Sequence, residues 1–145
     1  MRDGFAMGTA PAAEAIRVLI VDDHRLFVEA LRATLSSEPR MEVVGVAFDG
    51  AEAIRLAAEL SPDIVLMDID MPVMNGIEAT RRICDANPDV QVVIITGSES
   101  RVDSSQARAA GAAAFMRKDH SAAQLVEAVP EVSTLLLAFG RGRSS

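Results

Sequence analysis

The chain is poor in cysteine, in lysine and in long apolar runs, and each shortage removes a class of protein. Cys84 is the only cysteine in 145 residues, so no intramolecular disulfide can form and no cysteine cluster can hold a metal. No apolar run approaches the roughly 20 residues needed to span a bilayer. The first fifteen residues, Met1 to Ala15, are rich in Gly, Ala and Thr and lack the continuous apolar core of a secretory signal. They read as a flexible extension on a cytoplasmic protein. Positive charge is scarce too: 14 Lys and Arg face 21 Asp and Glu, a formal net charge of −7. Phosphate backbones and anionic lipid attract basic surfaces, so neither is an expected partner. Lysine is the rarest charged residue. Lys118 stands alone, and every other one of the 14 basic residues is arginine. A position that keeps an amine in so arginine-biased a chain points to a need for a compact ammonium rather than a planar fork.

What is present is half hydrophobic by composition, enough for one buried core in a chain of single-domain length. Short β-branched runs alternate with segments of helical period. Ile16 to Val21 (IRVLIV) reads as a strand, and His24 to Ser36 as a helix with Phe27, Ala30, Leu31 and Leu35 on one face. Met41 to Phe48 is a second strand. Asp49, with Glu52 three residues on, has the pattern of a capping box. It opens a helix that turns Ile54, Ala57 and Ala58 inward and stops at Ser61-Pro62. Ile64 to Met67 is a short apolar strand ending at Asp68. A loop from Met71-Pro72 to Asn75-Gly76 leads into a helix over Ile77 to Ala86, with Ile77, Thr80, Ile83 and Cys84 on one side. After the turn Asn87-Pro88-Asp89 come a strand Val90 to Thr96, an Ala/Ser-rich helix Arg101 to Ala110 closed by Gly111, a strand Ala113 to Arg117 and a helix Ser121 to Val129. Five βα units of this size imply a single α/β domain, a (βα)5 doubly wound parallel sheet buried on both faces, over residues 16–129. Residues 130–145 are left as a partly apolar tail.

In such a sheet, functional groups gather at the carboxyl ends of the strands. Here those ends carry Asp22-Asp23, Asp68, Thr96 and Lys118. Three carboxylates on one rim repel each other and call for a cation or a proton. An all-oxygen, water-accessible donor set suits Mg²⁺, held by Asp23 and Asp68 directly and by Asp22 directly or through water. A carboxylate beside such a metal can act as a nucleophile in phosphoryl transfer. Thr96 and Lys118 would share the oxygens of the moving phosphoryl group with the metal.

The runs IRVLIVDD (Ile16 to Asp23) and IVLMDIDMPVMNG (Ile64 to Gly76), the strand ending in Thr96-Gly97, and FMRK (Phe115 to Lys118) resemble the receiver domains of bacterial two-component response regulators. The resemblance covers about Ile16 to Val129. It implies the flavodoxin-like strand order 2-1-3-4-5 and a phosphoryl acceptor at Asp68. It also implies an acidic metal pair at Asp22 and Asp23, a backbone carbonyl ligand from Asp70, and loop positions Pro72 and Gly76. Thr96 and Phe115 would be the switch hydroxyl and switch aromatic, with Gly97 as the small neighbour that leaves the phosphoryl group room, and Lys118 the family's lysine. The family's donor is a histidine kinase or phosphotransfer protein, and its members catalyse their own phosphorylation and dephosphorylation without turning over a separate substrate. Asp22-Asp23-His24 and Lys118-Asp119 are most similar to the subfamily usually joined to a helix-turn-helix output domain. Three departures stand out. Asp119 replaces the proline that often follows the lysine, Phe115 lacks a tyrosine hydroxyl, and no helix-turn-helix follows Val129. The chain is therefore expected either to be a stand-alone receiver or to be a fragment. It is expected to signal by protein contact rather than by binding DNA, through a face made of Arg101 to Ala110, Ala113 to Arg117 and Ser121 to Val129. A second copy of the chain is a further candidate partner.

Two other readings compete. Asp68-Ile69-Asp70 after an apolar strand also resembles the haloacid-dehalogenase phosphatases, although Asp22-Asp23 precede that motif and no cap domain is evident. A receiver-like module that binds partners without phosphorylation is the other, opposed by the complete set of acids, hydroxyl and lysine. Flavin binding is disfavoured, because the loop Asp22-Asp23-His24-Arg25 is acidic rather than a phosphate cradle. His24, a lone histidine at a helix start, reads as an exposed residue rather than a ligand.

Overall fold

A computed structural model of the chain describes residues 15–69, 71, 74–97 and 103–117. The expected helix Ser121 to Val129, the residues Asp70, Pro72 and Lys118, and both terminal segments lie outside the described residues, apart from Ala15. The elements alternate as β1 (Ile16–Val21), α1 (Arg25–Ser36), β2 (Met41–Ala47), α2 (Gly50–Leu60), β3 (Ile64–Asp68), α3 (Gly76–Ala86), β4 (Gln91–Thr96), α4 (Ser104–Ala109) and β5 (Ala114–Arg117). The five strands form one sheet in the order β2-β1-β3-β4-β5, and every pairing is parallel.

The strands are apolar on both sides because both sheet faces are covered. Val18, Ile20, Ile64, Leu66, Val93 and Ile95 turn to one face, where Val28, Leu31 and Leu35 of α1 pack. The alternate residues Leu19, Val21, Val65, Met67, Val92 and Ile94 turn to the other, against Ala53 and Ala57 of α2, Ala79 and Ile83 of α3, and Ala107 of α4. Two helix faces differ from those read in the sequence. In α1, Val28 is buried and Ala30 is exposed; in α2, Ala53 is buried and Ala58 is exposed. Alanine suits either environment, so it marks a helix face poorly, and the small Ala53 and Ala57 let α2 lie close to the sheet.

The helix ends follow the local chemistry. Asp49 and Asn75 cap α2 and α3 by accepting from the backbone N–H of Glu52 at 2.8 Å and Glu78 at 3.0 Å. Glu52 completes its side of the α2 cap one residue early, accepting from the N–H of Phe48 at 2.9 Å. Asp103 and Gln106 form a reciprocal capping box at α4. Gly111 follows α4 at φ +109°, the left-handed conformation expected of a residue that ends a helix. At the amino ends of the central strands, the buried Asp63 accepts from the Arg17 N–H at 3.0 Å and returns its own N–H to the Arg17 carbonyl at 2.9 Å. That acid fastens β1 to β3 far from the strands' carboxyl ends.

Candidate functional site

The strand order places β1 beside β3, with their connections leaving to opposite sides. In this architecture a crevice opens at such a point, beyond the carboxyl ends of the strands. Val21 pairs with Met67 and Asp68 pairs with Ile95. The registers therefore bring Asp22, Asp68 and Thr96, the residues at or just past three adjacent strand ends, to one rim.

Asp22 continues β1 by donating its N–H to the Ala47 carbonyl at 3.0 Å. Its carboxylate is buried and accepts the backbone N–H of His24 at 2.8 Å. That short side-chain turn swings the chain into α1 and leaves Asp23 half-buried at the rim. Asp68 is 1% exposed at the end of β3. Just beyond it, the Ile69 carbonyl accepts from both the Met71 and Gly76 N–H groups at 3.0 Å, which ties the start of α3 to the end of β3. Gly76 itself lies against the Asp68 backbone carbonyl.

Asp22, Asp23, His24 and Asp68 each offer one ligand atom, and all four atoms lie within 4.8 Å of one another. Carboxylates this close repel, and in a partly buried site the repulsion is poorly screened. The Asp23 Oδ1 atom is buried and makes no hydrogen bond among the described residues. A buried acceptor without a donor, among acids that repel, fits a hard divalent cation with oxygen ligands. Thr96 is buried at the neighbouring strand end, and among the described residues its hydroxyl donates a long 3.3 Å bond to the Gly97 carbonyl. Phe115 pairs across the sheet with Ile94 and is half-buried on the face that carries α4.

Of the residues singled out in the sequence, Asp22, Asp23 and Asp68 meet in one cluster, with Thr96 on the same rim and Phe115 one strand further on. His24 is the residue the sequence reading undervalued. Its side chain is 62% exposed, yet Nδ1 stands 2.9 Å from Asp22 Oδ1, 3.4 Å from Asp23 Oδ1 and 3.9 Å from Asp68 Oδ2. Its place directly after two acids at a strand end was the available signal.

Comparison with known proteins agrees with this geometry. The response regulator receiver domain family matches residues 18–130. The transcriptional regulatory protein LiaR of Bacillus subtilis is 41% identical over 121 residues, 81% of this chain and 56% of LiaR. A protein-glutamate methylesterase/protein-glutamine glutaminase of Pseudomonas fluorescens is 49% identical over 87 residues, 60% of this chain and 26% of that protein. The signal receiver domain of the response regulator NarL from Mycobacterium tuberculosis superimposes with a TM-score of 0.76 at 34% identity, covering 83% of this chain and 98% of that one. The chain spans about half the length of the regulators it matches. Among the described residues no helix is long and apolar enough to cross a membrane.

Proposed function

The chain belongs to the response regulator receiver domain family, and from that premise we propose that it is a phospho-aspartate switch whose acceptor is Asp68. The observation that carries the reading is the buried carboxylate of Asp68 at a strand end, gathered with Asp22 and Asp23. Burial keeps competing water from the nucleophile, and the neighbouring acids supply a metal site at the point of attack. Asp22, Asp23 and Asp68 would hold Mg²⁺, with the Asp70 carbonyl as a further ligand. Bound there, the ion would neutralise the acids and draw charge from the phosphoryl oxygens.

The reaction needs little covalent chemistry beyond placement. An Asp68 carboxylate oxygen attacks the phosphorus of a phosphohistidine on the donor kinase or phosphotransfer protein. A P–O bond forms as the P–N bond breaks, and the donor imidazole leaves with the electron pair and takes up a proton. The Thr96 hydroxyl, held now by its long bond to Gly97, turns to one phosphoryl oxygen, and Lys118 pairs with another. That movement is the switch: Thr96 on β4 and Phe115 on β5 connect the acceptor to α4. The output surface is α4, β5 and the segment Ser121 to Val129, recognised by a downstream protein or by a second copy of the chain. Reversal is hydrolysis of the acyl phosphate, so the protein acts as a cytoplasmic signalling switch rather than as an enzyme with a separate substrate.

The test is incubation with a small phosphodonor and Mg²⁺, followed by intact mass. One base-labile phosphoryl group on the wild type, and none on folded Asp68→Asn, is expected. An amide is nearly isosteric with the acid but does not attack phosphorus. Full incorporation into the folded Asp68→Asn variant would move the acceptor elsewhere. Steady turnover of a generic phosphomonoester would favour a phosphatase instead.

A further inference from the structure

His24 stands at the N-cap of α1 but makes no side-chain cap. Histidine is not among the residues preferred there, which are Ser, Thr, Asp and Asn. Capping therefore does not account for its side chain. The ring turns the other way, into the acids. Nδ1 is at hydrogen-bond distance, 2.9 Å, from Asp22 Oδ1, and lies 3.4 Å and 3.9 Å from oxygens of Asp23 and Asp68. One N–H thus points into the space that three carboxylates share, where a cation bound by all three would have to sit. The side chain as a whole is 62% exposed, so it can rotate out without disturbing the core.

We propose that His24 is a tethered placeholder for the metal: its Nδ1–H holds the acidic site together when no cation is bound and must swing out before Mg²⁺ can enter. The inference rests on the metal-dependent reading of the site given above. A neutral imidazole carries the needed N–H in one of its two tautomers, so the device requires no change of charge. The consequence is a tax on metal binding. Only the molecules with the ring turned out are competent, and the apparent affinity for Mg²⁺ falls in proportion to that fraction. Loading the site is then a competition between an internal donor and an external ion, so receptivity to phosphorylation calls for more metal than the acids alone would. His24 acts as a positioning residue and takes no part in the bond changes at Asp68.

The experiment compares wild type, His24→Ala and, as a control on the same helix, Leu26→Ala, whose side chain is 88% exposed. Mg²⁺ binding is measured by calorimetric titration, and melting temperature is measured with EDTA and with saturating Mg²⁺. His24→Ala is expected to bind Mg²⁺ about ten- to a hundredfold more tightly, the range for losing one competing hydrogen bond to a charged group. It should melt lower than wild type in EDTA but level with it in saturating Mg²⁺, a pattern that loss of helix stability alone would not give. In wild type, the His24 ring resonances should shift to those of an exposed histidine when Mg²⁺ is added. Equal affinity in wild type and His24→Ala overturns the placeholder, and weaker affinity in the variant makes His24 a ligand and overturns it as well. Absence of Mg²⁺ binding from all three proteins instead sinks the metal-dependent reading on which the inference stands.

Discussion

Gly76 and Asp68 touch through their backbones: a Cβ on Gly76 would collide with the Asp68 carbonyl oxygen and come within 2.8 Å of the Ile69 Cα. These are main-chain atoms of β3 and its loop, which cannot rotate away as a flexible side chain could. Gly76→Ala therefore has to push α3 from the end of β3 or tilt the peptide that carries Asp68. The expected cost is about 1–3 kcal/mol, the usual range for overpacking, with slower phosphoryl uptake because the acceptor is displaced. Thermal melting and a time course by intact mass read the two effects. Wild-type values of both would mean that the contact has slack.

That contact shows where sequence reading stops. The strands were legible because burial on both faces leaves little but Ile, Val, Leu and Met in β1 and β3. The acids were legible because a charge closing such a run, as Asp68 does, has no place in a core. The role of Gly76 was not, since it depends on how α3 meets β3 in space. The position of His24 depends on a turn closed by the Asp22 side chain, a contact that spacing alone does not reveal. Helix faces built of alanine misled for a related reason: Ala53 is buried and Ala58 is exposed, but the two methyl groups look alike in a hydrophobicity pattern. The capping patterns of Asp49 and Gly111 were local, and local chemistry settled them.

Cys84 sits on α3, half-buried, with Sγ 3.5 Å from the Gly111 carbonyl. Burial pushes its thiol above the ordinary value, and the neighbouring Asp85 carboxylate pushes the same way. The thiol is therefore expected to stay protonated at neutral pH and to react with iodoacetamide more slowly in the folded protein than in urea. The same shift couples to stability. As pH rises into the ordinary thiol range, the unfolded chain loses this proton first, so the folded state is progressively disfavoured. The contribution is complete below that range and is lost as pH climbs towards the folded value. A Cys84→Ser variant should show a shallower decline in stability over that alkaline window. Equal decline in both proteins would assign the effect to other groups.

Thr80 lies on the buried side of α3, fully inaccessible, and its hydroxyl has no hydrogen-bond partner among the described residues. A buried hydroxyl left unpaired carries its desolvation cost without a return. Thr80→Val keeps the branched shape and removes the polar atom, so it is expected to stabilise the domain by about 1 kcal/mol. Urea unfolding should show a higher midpoint at an unchanged slope, since the surface exposed on unfolding is nearly the same. A lower midpoint would mean that the hydroxyl is satisfied in solution, by water or by the helix backbone.

Asp22, Asp23 and Asp68 repel one another across a partly buried site, and a divalent cation that binds only the folded arrangement removes that repulsion. Mg²⁺ should therefore raise the melting temperature. At about one hundred times its dissociation constant, the stabilisation is roughly 2.7 kcal/mol, or about 10 °C for a domain of this size. The Asp22→Ala, Asp23→Ala double variant should lose nearly all of that shift. In EDTA the double variant should melt close to wild type, because the removal of two repelling charges offsets the loss of the turn that Asp22 makes. Ca²⁺, which is larger and seeks more ligands, should give a smaller shift than Mg²⁺ in the wild type. A Mg²⁺ shift that survives in the double variant would place the ion away from the strand ends, and Asp68 would then lack the cation that phosphoryl transfer requires.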